Sequence, residues 1–286
     1  MAGTSEGAAG SPGAAGSAGA AGSAGAIVDA MPSRGAVPRG GAAAWVNRLR
    51  LTAKAYEPLW RHRSVGLLTR GAFSTARELK TLLAWTGSVA GAEVLDVGCS
   101  AGLYARTLAA EGAIVHALDA SRPFLEEAAR LAARDGVDLT LVQGDAHALP
   151  FADERFDVVV VGATLNELAD PQRGLDEIAR VLRPGGRAWF MFARRAGPLG
   201  RPLQALMGWG GLRFPEPADL DAWATRSGLV PIRAEERGAV VLALYGRGQG
   251  APAVAATSPS PGWEGPTPRR NRRFNWERRL DGEDGG

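Results

Sequence analysis

The chain has 286 residues, 45% of them hydrophobic and 22% charged, with a net charge of +3 and a single cysteine. That length and composition suit one globular domain with tails, and Cys99 has no partner for an intramolecular disulfide or a thiolate metal site. No apolar run reaches the roughly 18–20 residues that span a bilayer, and the amino end lacks the basic start and apolar segment of a secretion leader, so a cytoplasmic protein without stable membrane insertion is expected.

Residues 1–45 read as a disordered tail. AAGSPG at 8–13 returns as AAGSAG at 14–19 and again at 20–25, and alanine, glycine and serine offer too little apolar area to offset the entropy of ordering them. A single domain is expected over 46–248. Its first part, 46–87, reads as a helical lid carrying Tyr56, Trp60, Arg70 and Phe73, within a region (41–90) whose charge is +6. Tyr56 and Arg70 are the lid residues expected to face the site.

From residue 93 onward, short apolar runs alternate with amphipathic stretches. The runs at 93–97, 114–118, 139–143, 156–161 and 187–193 read as buried strands. Ser121 with Pro123 marks one helix start, Asp170 with Pro171 another, and Pro184-Gly185-Gly186 the approach to a strand. Alternation of this kind predicts an α/β fold with a doubly wound, mostly parallel sheet. Two strands joined by a short turn near 230–246 predict an antiparallel ending. The segment 196–216 is long for a connection and holds Leu199, Leu203, Leu206, Met207, Trp209, Leu212 and Phe214, which suggests a cap insertion.

The stretch VLDVGCSAGLYA at 94–105 carries the chemistry. Gly98 and Gly102 allow a ligand to approach the backbone after a strand. Asp119 follows Gly98 by 21 residues and ends the next apolar run, where a carboxylate can accept from both hydroxyls of a ribose. Ser100 replaces the second glycine of a pyrophosphate-binding turn, and Asp96 would repel a pyrophosphate, so a nucleoside bearing an ammonium group fits better than a dinucleotide. A short-chain dehydrogenase is excluded because Tyr56, Tyr104 and Tyr245 are followed four residues later by Trp60, Leu108 and Gln249, never lysine.

Taken in order, VLDVGCSAG, ALDAS at 117–121, GDAHALPFADERFDVVV at 144–160 and LDEIARVLRPGGR at 175–187 resemble the class I S-adenosylmethionine-dependent methyltransferases. The resemblance covers most of 90–246 and departs from the usual pattern at Ser100. It implies a seven-stranded Rossmann-like sheet with N-terminal cap helices and S-adenosylmethionine as cofactor. Carried over residue by residue, it implies Asp96 near the ammonium, Gly98 and Gly102 against the methionyl part, and Asp119 with Ala120 at the ribose. Asp145 and Ala146 would meet the adenine, with Thr164 beside the cofactor.

In-line methyl transfer needs alignment and exclusion of water more than a strong base. Asn166 and Glu167, after the fourth strand, are candidates to face the acceptor, with Tyr56 contributed by the lid; Glu167 would need desolvation to act as a base. His116 reads as core, and His147 as a residue on the cofactor side or the surface. A small, apolar acceptor is expected, on a monomer or a dimer. The tail 249–286 contains RRNRRFNWERR at 269–279 and reads as disordered and basic. A nucleic-acid methyltransferase, or a noncatalytic S-adenosylmethionine-binding module, is the competing reading; nucleic acid is not the expected partner, since no base-flipping motif accompanies those arginines.

Overall fold

The computed structural model describes residues 26–31, 74–198, 200–209 and 211–248. Tyr56, Trp60, Arg70, Phe73, Leu199 and the arginine-rich tail lie outside the described residues.

Five parallel strands, β2 (Glu93–Val97), β3 (Ile114–Asp119), β4 (Thr140–Gln143), β5 (Phe156–Val161) and β6 (Leu182–Ala193), form the centre of the sheet. They are runs of Val, Leu and Phe because both faces are covered, and a parallel sheet leaves little polar surface to satisfy. On one face, Leu79, Leu82, Leu108, Leu125, Trp189 and Met191 share a core with α1 (Thr75–Thr86), α2 (Leu103–Ala110) and α3 (Arg122–Asp135). On the other, Phe190, Phe192, Leu175, Ile178 and Leu220 pack with α4 (Pro171–Val181) and α6 (Pro217–Arg226). The alternation of Trp189, Phe190, Met191 and Phe192 between the two cores is the strand period of two.

Helix starts follow the local chemistry. Asp170 caps α4 by accepting from the Arg173 amide at 3.1 Å, with Pro171 in the first turn. Ser121 precedes α3, and Gly136 ends it in the left-handed region that glycine adopts most readily. The remaining elements are α5 (Arg201–Trp209), β7 (Leu229–Arg237) and β8 (Val240–Arg247). As expected, β8 runs antiparallel to β6 and to β7.

The sheet has eight strands, not seven. Its order is β1-β4-β3-β2-β5-β6-β8-β7, and the extra member, β1 (Ile27–Asp29), pairs in parallel with β4 through Ile27↔Leu141 and Asp29↔Gln143. This strand lies inside the stretch expected to be a structureless tail. The correction has a local cause: Ile27 and Val28 are β-branched residues amid alanine and glycine, and β4 would otherwise present an unpaired edge.

Between β2 and β5 the strand order reverses, because the chain winds outward from β2 to β4 and then returns to the far side of β2. The carboxyl ends of β2 to β5 lie together there, with Val97 opposite both Leu118 and Val161, and Asp119 opposite Gln143. A crevice at such a switch point is where open α/β sheets bind ligands.

Candidate functional site

Around that crevice the structure gathers eight sequence-predicted positions: Asp96, Gly98, Gly102, Asp119, Ala120, Asp145, Ala146 and Thr164. They sit in or just beyond the ends of β2, β3, β4 and β5. The turn after β2 is fixed first by its backbone, as the Gly98 and Cys99 amides both donate to the Leu118 carbonyl. Gly98 has φ +68°, and a Cβ there would lie 2.1 Å from the Thr164 hydroxyl oxygen. Only glycine fits. Thr164 in turn donates from its hydroxyl to the Gly98 carbonyl at 3.1 Å, so it braces the turn from the β5 side.

Ser100 is also left-handed, with φ 49°, which explains why glycine is usual at this place in the resemblance and why a serine there carries backbone strain. Its amide donates to one oxygen of Asp119 at 2.9 Å, while the Ser121 amide donates to the other at 2.8 Å. The carboxylate is thereby held in place with lone pairs to spare on both oxygens. Burial nevertheless pushes its pKa up to about 6, although the two amides work in the opposite direction.

Asp96 is buried at the core of the turn, and one of its oxygens accepts from the Ala105 amide at 3.1 Å in the first turn of α2. Its visible task is to hold a helix N-terminus at the crevice. Cys99, beside it, is kept a thiol by burial together with the charges of Asp119 and Asp96.

On the β4 side, one oxygen of Asp145 accepts both from the His147 amide at 2.9 Å and from the His147 ring Nδ1 at 2.7 Å. The His147 Nε2 accepts from the Asp170 amide at 3.2 Å. A backbone N–H can only donate, so the ring carries its proton on Nδ1. Burial would raise the Asp145 pKa, but the two His147 donors and the nearby Arg173 guanidinium outweigh it and hold the group below its ordinary value. Its second oxygen has no hydrogen bond recorded among the described residues. Beneath this loop, Arg180 of α4 donates to the carbonyls of Leu149 and Phe151 and pairs with Glu177 and Asp153. Glu177 accepts from the Leu149 amide at 2.7 Å. Sequence reasoning missed this support, although Glu177 and Arg180 are three residues apart on one helix face, the spacing at which side chains meet.

Of the three expected catalytic residues, Asn166 and Glu167 are described. Tyr56 lies outside the described residues. Asn166 is buried, and its amide donates to the Ala193 and Arg213 carbonyls at 2.7 and 2.6 Å and accepts from the Ala193 amide at 2.9 Å. Both of its donor hydrogens are used, so it ties the 196–216 segment to β6 and does not present a donor to an acceptor molecule. Glu167 is exposed. His116 is core, as expected: it stacks on Phe151, and burial with the Arg155 charge drives its pKa to about 3.

The 196–216 segment is fastened by a second buried amide. Gln204 of α5 donates to the Arg194 carbonyl at 2.8 Å and accepts from the Ala196 amide at 2.7 Å. Asn166 thus ties Arg213 to the end of β6, and Gln204 ties α5 to the residues just after it.

Residues 95–190 match the protein family described as "Methyltransferase domain". A demethylmenaquinone methyltransferase of Clavibacter sepedonicus is 45% identical over 100 residues, which are 35% of this chain and 40% of that protein. The match therefore spans less than half of the relative's length. Among solved structures, an S-adenosylmethionine-dependent methyltransferase from Mesorhizobium loti is similar with a TM-score of 0.53 and 22% identity, over 60% of this chain and 99% of that one. The cyclase SpnF is similar with a TM-score of 0.57 and 20% identity, over 76% of this chain and 100% of that one. At such identities the likeness is one of fold, and it extends to a protein named for a different reaction.

Proposed function

We propose that this chain is a class I S-adenosylmethionine-dependent methyltransferase and moves a methyl group from S-adenosylmethionine to a small, apolar acceptor of quinone type. The observation that carries the reading is the convergence of three differently built contacts on one crevice: the bare Gly98 turn, the doubly anchored Asp119 and the pre-aimed Asp145. They are suited in turn to a methionyl backbone, a pair of ribose hydroxyls and an exocyclic amine. The acceptor class is supported by the demethylmenaquinone relative and by the apolar composition of 196–216.

The bound donor would supply a sulfonium methyl group, which passes in line to an acceptor nucleophile as the sulfur recovers the bonding electron pair. The chain's part is alignment. Thr164 fixes the Gly98 turn, Asp119 and Asp145 fix the nucleoside, and the pegged cap limits water at the end of β6. No described side chain is required as a base, and an acceptor proton would leave to solvent or to the acceptor's own oxygen. The chain acts in the cytoplasm as a monomer or dimer and without nucleic acid in this reading.

Titration calorimetry with S-adenosylhomocysteine tests the donor site, and label transfer from methyl-labelled S-adenosylmethionine to a demethylated quinone tests the reaction. We expect micromolar binding and transfer. Binding without transfer to any quinone would overturn the acceptor class, and no heat at millimolar ligand would overturn the whole reading.

A further inference from the structure

In a surface helix the apolar stripe usually faces the core, and α5 presents large apolar side chains outward as well. Its polar Gln204 is buried, whereas Leu206 is 66% and Trp209 91% exposed, three residues apart and therefore on one outward face. Scattered single apolar residues need no explanation; a tryptophan and a leucine adjacent on one short helix do.

Within the segment that carries this face the charges have one sign. From Arg195 to Pro215 the chain has three arginines, Arg195, Arg201 and Arg213, and no acidic residue. All three arginines are exposed. Arg195 lies 3.7 Å from Glu216 at the foot of the cap, while no ion pair is recorded for Arg201 or Arg213 among the described residues. An outward apolar ridge with an amphipathic indole and flanking guanidinium groups matches the interface of an anionic bilayer, where tryptophan settles at headgroup depth and arginine meets phosphate. A protein partner would be matched by apolar burial with mixed charge at the rim, whereas Arg201 and Arg213 are exposed with no ion pair among the described residues, which favours the lipid.

We propose that α5 is a peripheral docking element that seats the cap on an anionic lipid surface, with Leu206 and Trp209 entering the headgroup region and Arg201 and Arg213 held at the phosphates. No described helix is long and apolar enough to cross a membrane, so the contact is a reversible one on the surface. The inference goes beyond methyl transfer and does not depend on it.

The full chain is sedimented with vesicles of phosphatidylcholine containing about 30% phosphatidylglycerol, and with phosphatidylcholine alone, beside the full-length variant Leu206→Ser/Trp209→Ser. Both positions are exposed, and retained heat with S-adenosylhomocysteine reports that the variant is folded. We expect the wild type to pellet with anionic vesicles and to be released above about 0.5 M salt, and the variant to bind about tenfold more weakly. The arginine run at 269–279 is intact in both proteins, so binding that is equal in the two would overturn the assignment to α5. Vesicle binding absent from the wild type, with a dimer in sedimentation analysis that the variant loses, would overturn it in favour of a second copy of the chain. Wild type that pellets but gives no heat with S-adenosylhomocysteine would leave the lipid surface standing and remove the methyl donor.

Discussion

Asp119 shows how one residue can be both legible and altered by its setting. Its spacing from Gly98 marked it as a ribose partner, but only the fold reveals that burial raises its pKa to about 6 from an ordinary 3.8. An acid whose folded pKa is raised binds more protons folded than unfolded between those two values. Stability therefore falls as the pH rises from about 4 to 6, by about 2–3 kcal/mol for this group alone. The variant Asp119→Asn has no such titration, so its stability advantage over wild type should grow by about that amount between pH 4 and 7 in urea unfolding. Binding runs the other way, because ribose hydroxyls donate to the ionised form. Affinity for S-adenosylhomocysteine should rise close to tenfold per pH unit below about 6 and level off above it; a flat profile from pH 5 to 7 would separate Asp119 from the ribose. His147 belongs to the same scale. In the sequence it was a histidine near an acid, and its value lies in joining Asp145 to the first turn of α4 through two different ring nitrogens.

At the scale of elements, strands β2 to β6 and the starts of α3 and α4 were readable because each has a local cause: continuous branched apolar runs, a capping aspartate, an early proline. The segment 196–216 was half readable. Its length and apolar content set it apart, yet nothing in TLNELAD distinguishes an asparagine that faces a substrate from one whose three hydrogen bonds all go to distant backbone, since Ala193 and Arg213 are 27 and 47 residues away. The pegging role makes a sharp prediction. Asn166→Asp is nearly isosteric, but a carboxylate would face two carbonyl oxygens that now receive N–H groups. We expect a loss of about 2–4 kcal/mol at pH 7, at least as large as for Asn166→Ala, with partial recovery toward pH 4 as the new acid takes up a proton. Thermal unfolding of the two variants across pH checks it, and equal, pH-independent losses would mean that only the deletion of packing matters.

The whole molecule is closed at one edge by a strand that composition alone could not reveal, because three residues are too few for periodicity and the partner β4 lies far along the chain. Removing residues 1–25 should leave stability unchanged, whereas removing 1–31 should cost about 1–2 kcal/mol in urea titration and promote association through the uncovered β4 edge, with ligand affinity changed less than threefold. If the two truncations unfold alike, β1 adds nothing to the fold. The pairing of β1 with β4 also has a consequence for synthesis. Ile27 leaves the ribosome well before its partner Leu141 exists, and at about 5–20 residues per second the wait is about 6–23 s. In that interval β2 and β3 can already pair with each other, so the first strand made is among the last to be seated, and a translating chain spends its most exposed moments with the finished strand at hand and nothing yet to receive it.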